Sequence, residues 1–366
     1  MFAEQKLKYD FRIFLLITIT FITLGIIFVY SSSSFFALEK LNQPFYFVKK
    51  QLIGIVVGLV GFIIAKKTPL QFLKHTSFLI LLSSVALTAA TLTPLGFKLH
   101  GSQRWLNIAG FMFQPSELLK IAIILYLASF LSRKKITEKN TAFLLLPLFT
   151  LLAITSALLL KQPDFGCMAT LCATTVIMLF IAELPIKYFA GLIAAAIPSA
   201  FILIYTQPYR WQRITTYLNP WQDPQGAGFQ IIQALIAEGS GGAWGTGIAH
   251  SRQKFLYLPM QHTDFIFAII AEEIGFIGSS FLILLCVLFL WFGFKISWTL
   301  KDSFSVFLVQ GVVIMISLQF VINLLVATGL APTKGIGLPF ISYGNTSLVS
   351  NMIMIGLINN AVKEYY

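Results

Sequence analysis

The sequence predicts an all-α polytopic membrane protein, with ten transmembrane helices and a large extracytoplasmic loop between helices 7 and 8. Three observations carry that prediction. Of the 366 residues, 57% are hydrophobic and only 11% charged, and the mean hydropathy is +0.82, a composition outside the range of ordinary soluble domains. The apolar residues come in repeated runs of roughly 17 to 25, the length that crosses bilayer hydrocarbon as a helix. The longest polar stretch, residues 206–263, is too long for an open loop unless it is functional or folds on its own.

The spans are placed near 11–30, 47–65, 77–95, 117–132, 142–160, 167–184, 188–205, 264–293, 306–328 and 346–362. The whole chain, 1–366, reads as one membrane domain with 206–263 as a loop inside it. The first run follows Lys6, Lys8 and Arg12 in the manner of a signal peptide, but at about 20 residues it is long enough to span and reads as an uncleaved helix. An even number of spans puts both termini on one side. Lys66, Lys67 and Lys74, and Arg133, Lys134, Lys135 and Lys139, cluster in short connections on that side, which makes it cytoplasmic. The formal charge of +12 is scattered over loops instead of forming a stripe, so anionic lipid is the expected partner and nucleic acid is not. Cys167, Cys172 and Cys286 all fall in apolar runs and imply neither a disulfide framework nor a metal site.

In the second span, Gly54 and Gly58 form a GxxxG that favours close helix packing. Residues 96–116 end in Pro115, which suits the first turn of the fourth helix, and Glu117 lies near that helix's positive end. Ser116, Glu117 and Lys120 share a face at three- and four-residue spacing. Lys120 therefore enters the membrane with a partner, either as an interfacial ion pair or as part of a site. In the short turn 160–166, Asp164 caps the next helix or serves a site. Within 206–263, Pro220 and Pro224 break the chain, and Phe229 to Glu238 reads as a short helix at the interface or re-entering the membrane. The glycines at 239, 241, 242, 245 and 247 make turns or an anion-binding nest.

Asp264 stands where the polar loop meets the eighth span. A carboxylate there either caps the helix or does chemistry, because a charge at the mouth of a span is costly to keep. Glu272 lies eight residues on, about 12 Å along the helix axis and about 80° around it, so Glu272 and Glu273 are expected to pair with other elements or support the site from behind. The stretch 329–347, rich in Gly and Pro, is expected to be irregular and held by neighbouring helices.

Several segments in order resemble one family: GSQRWLNIAGFMFQPSELLK (101–120), QPDFG (162–166), NPWQDPQGAGFQIIQALIAEGSGG (219–242), LPMQHTDFIFAIIAEEIGFIG (258–278) and PTKGIGLPFISYGNTS (332–347). Together they identify the chain as similar to the SEDS family (shape, elongation, division and sporulation), the ten-helix polymerases of bacterial peptidoglycan. SRQKFLYLP before HTDFIF, and PTKG before LPFISYG, favour the division branch over the elongation branch. Two positions depart from the family pattern. Met260 stands where a Glu is usual, and Asn345 replaces a glycine, although Asn tolerates positive φ.

The resemblance implies a glycosyltransferase that joins lipid II units at the outer face of the cytoplasmic membrane for septal wall synthesis. It casts Asp264 as the base that takes a proton from the acceptor hydroxyl, with a single displacement that inverts the donor's anomeric carbon. Arg104, Lys120, Arg210 and Arg213 are the candidate cations for the departing diphosphate. Trp105, Gln114, Ser116, Glu117, Asp164, His262 and Thr263 complete the candidate substrate-binding set. A divalent cation could assist, although no ligand cluster announces one. The implied partners are lipid II, a class B penicillin-binding protein transpeptidase and other division proteins. The alternatives are a lipid II flippase, an elongation-type polymerase and a non-catalytic division scaffold.

Overall fold

A computed structural model describes residues 2–99, 102–108, 111–133, 141–255, 258–259 and 261–365. Met260 and the cluster Lys134, Lys135 and Lys139 lie outside these residues. A helix overlaps each of the ten predicted spans, although α3 and α6 stop short of the predicted ends at 95 and 184: α1 (Phe2–Leu41), α2 (Tyr46–Lys67), α3 (Leu70–Ala90), α4 (Pro115–Arg133), α5 (Thr141–Lys161), α6 (Phe165–Ile181), α7 (Ile186–Tyr205), and, after two loop helices α8 (Pro208–Leu218) and α9 (Phe229–Ser240), α10 (Ile266–Thr299), α11 (Ser303–Ala327) and α12 (Asn345–Lys363). Among the described residues, six of these (α1 to α4, α10 and α11) are long and apolar enough to cross a membrane. The protein is a multi-pass membrane protein.

Helix α12 explains how a polar-looking segment belongs in such a bundle. Ser350, Asn351, Asn359 and Asn360 are buried together with Leu348, Met354 and Ile358, so the helix is enclosed by protein. Its closest neighbour is α2, and the GxxxG glycines make that approach possible. A Cβ at Gly54 would come 3.1 Å from the Asn345 side chain, and one at Gly58 2.4 Å from Met352 Sδ. Beside it, Phe14, Phe21, Phe289 and Phe320 stack in the centre of the bundle, with ring centroids as close as 4.6 Å.

One end of the bundle gathers both termini. Lys295 Nζ is 2.7 Å from Asp10 Oδ1, the backbone N–H of Leu70 donates to Glu364 Oε1 at 2.9 Å, and the amide of Asn360 donates to the carbonyls of Ala65 and Thr68. The opposite end, here the loop face, carries α8, α9 and a feature absent from the sequence prediction. Residues 96–113 form a three-stranded antiparallel sheet of β1 (Gly96–Leu99), β2 (Ser102–Ile108) and β3 (Phe111–Phe113), in that order. The register sets Phe97 against Trp105 and Leu106 against Phe113. Glycines at 101 and 110 between short β-prone runs are the hairpin signal for it.

Helix α10 is broken. Gly275 has φ 66° and ψ −170°, and the glycine-rich loop after α9 packs into the gap. Thr246 and Gly247 N–H groups donate to the carbonyls of Glu272 and Glu273, while Phe276 and Ile277 N–H groups donate to Gly242 and Ala243. A break frees helical hydrogen-bonding groups that need partners, and the loop backbone supplies them. Residues 241–244 thus form a turn, with Gly242, Gly245 and Gly247 at positive φ, and the same backbone pairs closely with the broken helix. Loop and broken helix meet so tightly that a Cβ on Gly245 would lie 2.2 Å from Glu273 O and one on Gly275 2.2 Å from Gly245 N.

Candidate active site at the loop face

Asp264 is positioned by its own main chain and its neighbours. The amide of Gln261 donates to Ser32 O at 2.7 Å and to Lys254 O at 3.1 Å. The N–H of Tyr343 donates to His262 O at 2.9 Å, and Ser342 Oγ donates to Thr263 O at 2.6 Å. Asn323 Nδ2 donates both to Asp264 O at 2.9 Å and to Ile336 O at 2.8 Å. Three successive carbonyls are therefore pinned to α11 and to the 336–343 segment. The Asp264 side chain is left for other work. It does not cap α10: Phe265 holds the N-cap position, and no side chain caps that end.

Among the described residues no group hydrogen-bonds the Asp264 carboxylate. Its pKa is pushed up to about 6, chiefly by burial, against the downward pull of Arg213 and then Arg104. A Cβ at Gly335 would stand 3.4 Å from Asp264 Oδ2, so the glycine keeps the space beside the carboxylate open. A carboxylate that is partly desolvated, unbonded and faced by two guanidinium groups can accept a proton near neutral pH.

The cations come from separate elements. Arg104, on β2, donates through Nε to Gln162 O at 2.9 Å and through a terminal nitrogen to Pro163 O, and it lies 3.8 Å from Asp164. The turn it grips is itself fixed, because Gln162 Nε2 donates to Thr88 O at 2.8 Å and to Thr91 Oγ1 at 2.5 Å. Asp164 caps α6 through the N–H of Cys167 at 3.2 Å and accepts from Gln114 Nε2 at 3.3 Å. Burial raises its pKa and Arg104 opposes the rise. Asp164 is thus both a cap and an Arg partner. Arg213, on α8, donates to Thr333 O at 2.5 Å and to the Tyr209 hydroxyl, with its guanidinium 4.5 Å over the Tyr209 ring. Arg210 lies about one turn earlier on the same helix. Trp105 follows Arg104 on β2, which projects it to the other face of the sheet.

Behind this group, the Lys120 ammonium is 2.7 Å from Glu117, with side chains only 5% and 11% exposed. Lys120 also donates to Gln319 at 3.2 Å, and Ser350 donates to Glu117 at 2.8 Å. Ser116 accepts from Gln114 at 3.0 Å, which links this pair to Asp164. His262 lies apart from the polar group. Its ring packs between Phe47, Phe36 and Tyr343 at centroid distances of 4.4, 5.8 and 5.8 Å, and burial lowers its pKa to about 4, so it stays neutral. Thr263 contributes the carbonyl bonded by Ser342.

Glu272 accepts from the Ser251 hydroxyl at 2.5 Å and from the Arg252 N–H at 2.8 Å. Glu273 accepts from Ser31 at 2.5 Å and lies 3.6 Å from Lys254. Both acids bind other elements, as expected from their helical offset, and tie the loop before Asp264 to α10. Lys334 is the residue the sequence reading passed over. It lies in the PTKG segment and has no role of its own in the candidate site, yet it stands between Thr333, whose carbonyl Arg213 bonds, and Gly335, which lies beside the Asp264 carboxylate. Among the described residues no three His, Cys, Asp or Glu side chains converge to hold a metal ion.

Residues 11–366 match the FtsW/RodA/SpoVE family, described as cell cycle proteins. The chain belongs to that family. A Trichlorobacter lovleyi relative named "Probable peptidoglycan glycosyltransferase FtsW" is 39% identical over 354 residues, covering 96% of this chain and 93% of its own. Stage V sporulation protein E of Bacillus subtilis is 38% identical over 351 residues, 95% of each chain. A solved structure concerned with the coordination of polymerization and crosslinking by a peptidoglycan synthase complex matches at a TM-score of 0.78 and 26% identity, covering 96% of this chain and 97% of that one. The rod shape determining protein RodA of Thermus thermophilus shares the fold, with a TM-score of 0.70 at 24% identity over 96% of each chain. The fold is thus that of a known group of polytopic membrane proteins.

Proposed function

We propose that this chain is a peptidoglycan glycosyltransferase of the division type, which polymerises lipid II into glycan strands at the outer face of the cytoplasmic membrane. The observation that carries the reading is the Asp264 carboxylate, unbonded and facing Arg104 and Arg213. The acceptor sugar hydroxyl gives its proton to Asp264 as its oxygen bonds to the donor's anomeric carbon. The bond from that carbon to the diphosphate oxygen breaks, and the electron pair leaves with undecaprenyl diphosphate. One displacement inverts the carbon, so no covalent enzyme intermediate is needed. Arg104 and Arg213 offset the charge that develops on the leaving diphosphate, and Arg210 draws the anionic lipid toward them.

Gln114, Ser116 and Asp164 orient Arg104 from below. Glu117 and Lys120 hold that layer in place, while His262 and Thr263 fix the loop bearing the base. The loop face is the outer face in this reading and both termini are cytoplasmic, as the Lys66, Lys67 and Lys74 cluster favours. A class B penicillin-binding protein that crosslinks the strands, and other division proteins, are the expected partners. The relatives' names and the peptidoglycan synthase match support this assignment.

The test is glycan-strand formation from labelled lipid II by purified protein with its transpeptidase partner, wild type beside Asp264→Asn. Strands from the wild type and only a small residual amount, about a thousandfold less, from a folded variant are expected. Comparable amounts from both would move the base elsewhere. Lipid II flipping that survives in both, without strands from either, would replace the polymerase by a transporter.

A further inference from the structure

Lys334 is held by its neighbours. The carbonyl of Thr333 accepts from Arg213 at 2.5 Å, and Gly335 passes close to the Asp264 carboxylate. Ile336 packs on Gly166, where an added Cβ would come 2.9 Å from its side chain, and the Ile336 carbonyl is bonded by Asn323. A tight turn from Lys334 O to the Ile336 N–H, 2.9 Å, closes the segment. The main chain therefore fixes Lys334 between α8 and the start of α6, at the same site as the base.

The side chain lies where a cation should not rest alone. Its ammonium is 4.7 Å from the centroid of the Phe165 ring, in the residue next to Asp164. Among the described residues no carboxylate pairs with it. Asp164 has Arg104 at 3.8 Å, and the cations acting on Asp264 are Arg213 and Arg104. Burial, and then the like charge of Arg213, push the Lys334 pKa below its usual value. A lysine kept only for packing would run its flexible stem past Phe165 and extend its head into water, away from Arg213. Two like charges held together and partly desolvated call for an anion of more than one charge between them.

We propose that Lys334 is a direct ligand of the lipid-linked diphosphate, which it grips together with Arg213 and Arg104. This rests on the glycosyltransferase reading of the site and adds a residue to it. A diphosphate diester carries two negative charges on neighbouring phosphates, enough to engage a guanidinium fork and a lysine point charge at once. The Phe165 ring under the ammonium strips water from it without neutralising it, so the lysine stays charged and available to the ligand. The position also gives Lys334 a place in the order of events. It meets the donor as it binds and keeps the diphosphate while the sugar departs.

The experiment compares wild type, Lys334→Gln and Lys334→Arg in the full chain with its transpeptidase partner. It measures the KM for lipid II, the affinity for inorganic pyrophosphate by competition and by direct calorimetry, and the melting temperature. Lys334→Gln is expected to weaken both lipid II and pyrophosphate by about tenfold at an unchanged melting temperature, with Lys334→Arg within about threefold of wild type. Unchanged pyrophosphate affinity in Lys334→Gln would overturn the proposal, since the anion would then not touch this residue. Equal losses in both variants with a lowered melting temperature would also overturn it, by making the lysine structural. If wild type makes no strands but binds pyrophosphate in a Lys334-dependent way, the polymerase reading fails and the anion site stands.

Discussion

Two charged groups lie near one another toward the loop face, and they are built in opposite ways. The Glu117–Lys120 pair is closed: a 2.7 Å ion pair, a hydroxyl from Ser350 and an amide from Gln319 occupy its bonding capacity. The group around Asp264 is open. Its backbone carbonyls are pinned by Asn323, Ser342 and Tyr343, whereas the carboxylate has no hydrogen bond among the described residues. Buried charges that satisfy one another hold helices in register. A charge held rigidly and left unsatisfied is arranged for something that arrives later.

Substitutions can break this contrast. Removing the open carboxylate should cost activity and not stability. Asp264→Asn is expected to lower strand formation by about a thousandfold. Its effect on stability has a definite sign. The folded-state pKa, about 6, lies above the ordinary 3.8, so the folded chain holds this proton more tightly than the unfolded one. The ionised group therefore opposes folding increasingly as pH rises from near 4 to above 6. The neutral variant should melt at or slightly above the wild-type temperature at pH 7.

The closed pair should respond in the reverse sense. Glu117→Gln strands Lys120 in a buried site and is expected to cost about 3 kcal/mol of stability, read as a lower melting temperature in detergent. Activity per folded molecule should fall far less than in Asp264→Asn. Gly275→Ala sharpens the contrast from the backbone side. A side chain at φ 66° and 2.2 Å from Gly245 N should cost about 2 kcal/mol and loosen the loop that precedes Asp264, measurable as faster proteolysis between residues 243 and 262. Arg104→Lys keeps the charge but loses the fork that grips Gln162 and Pro163, so about a tenfold loss of activity with little change in melting temperature is expected.

The bundle was legible in the sequence because a membrane span announces itself through length and apolarity, and helices stand over every predicted run. The GxxxG of α2 and the pairing of Glu117 with Lys120 were legible for a similar reason, since both depend on spacing along one helix. The sheet at 96–113 was not, because three short strands on a membrane protein lack a sustained alternation and read as a loop. The break at Gly275 was hidden inside an apolar run that looks continuous, and only the loop glycines that fill it explain it. The environment of Asp264 was half legible. Its place at a span's mouth is a sequence property, but its two guanidinium neighbours arise from β2 and α8, more than 150 residues and more than 50 residues away in the chain respectively. The PTKG segment that holds Lys334 is legible as part of the family pattern, but the placing of its lysine against Phe165 and next to the Arg213 contact arises from α6 and α8 and is not.

The measurement that tests the open carboxylate most directly is the pH dependence of kcat/KM for strand formation from lipid II between pH 5 and 8. In the free enzyme this ratio reports the protonation of an essential base. A rise with pH that reaches half its maximum near pH 6 is expected in the wild type, with the residual activity of Asp264→Asn flat over the same range. A wild-type profile that is flat from pH 5 to 8, or a rise near pH 6 that persists in Asp264→Asn, would contradict the account, because the titrating base would then be another group.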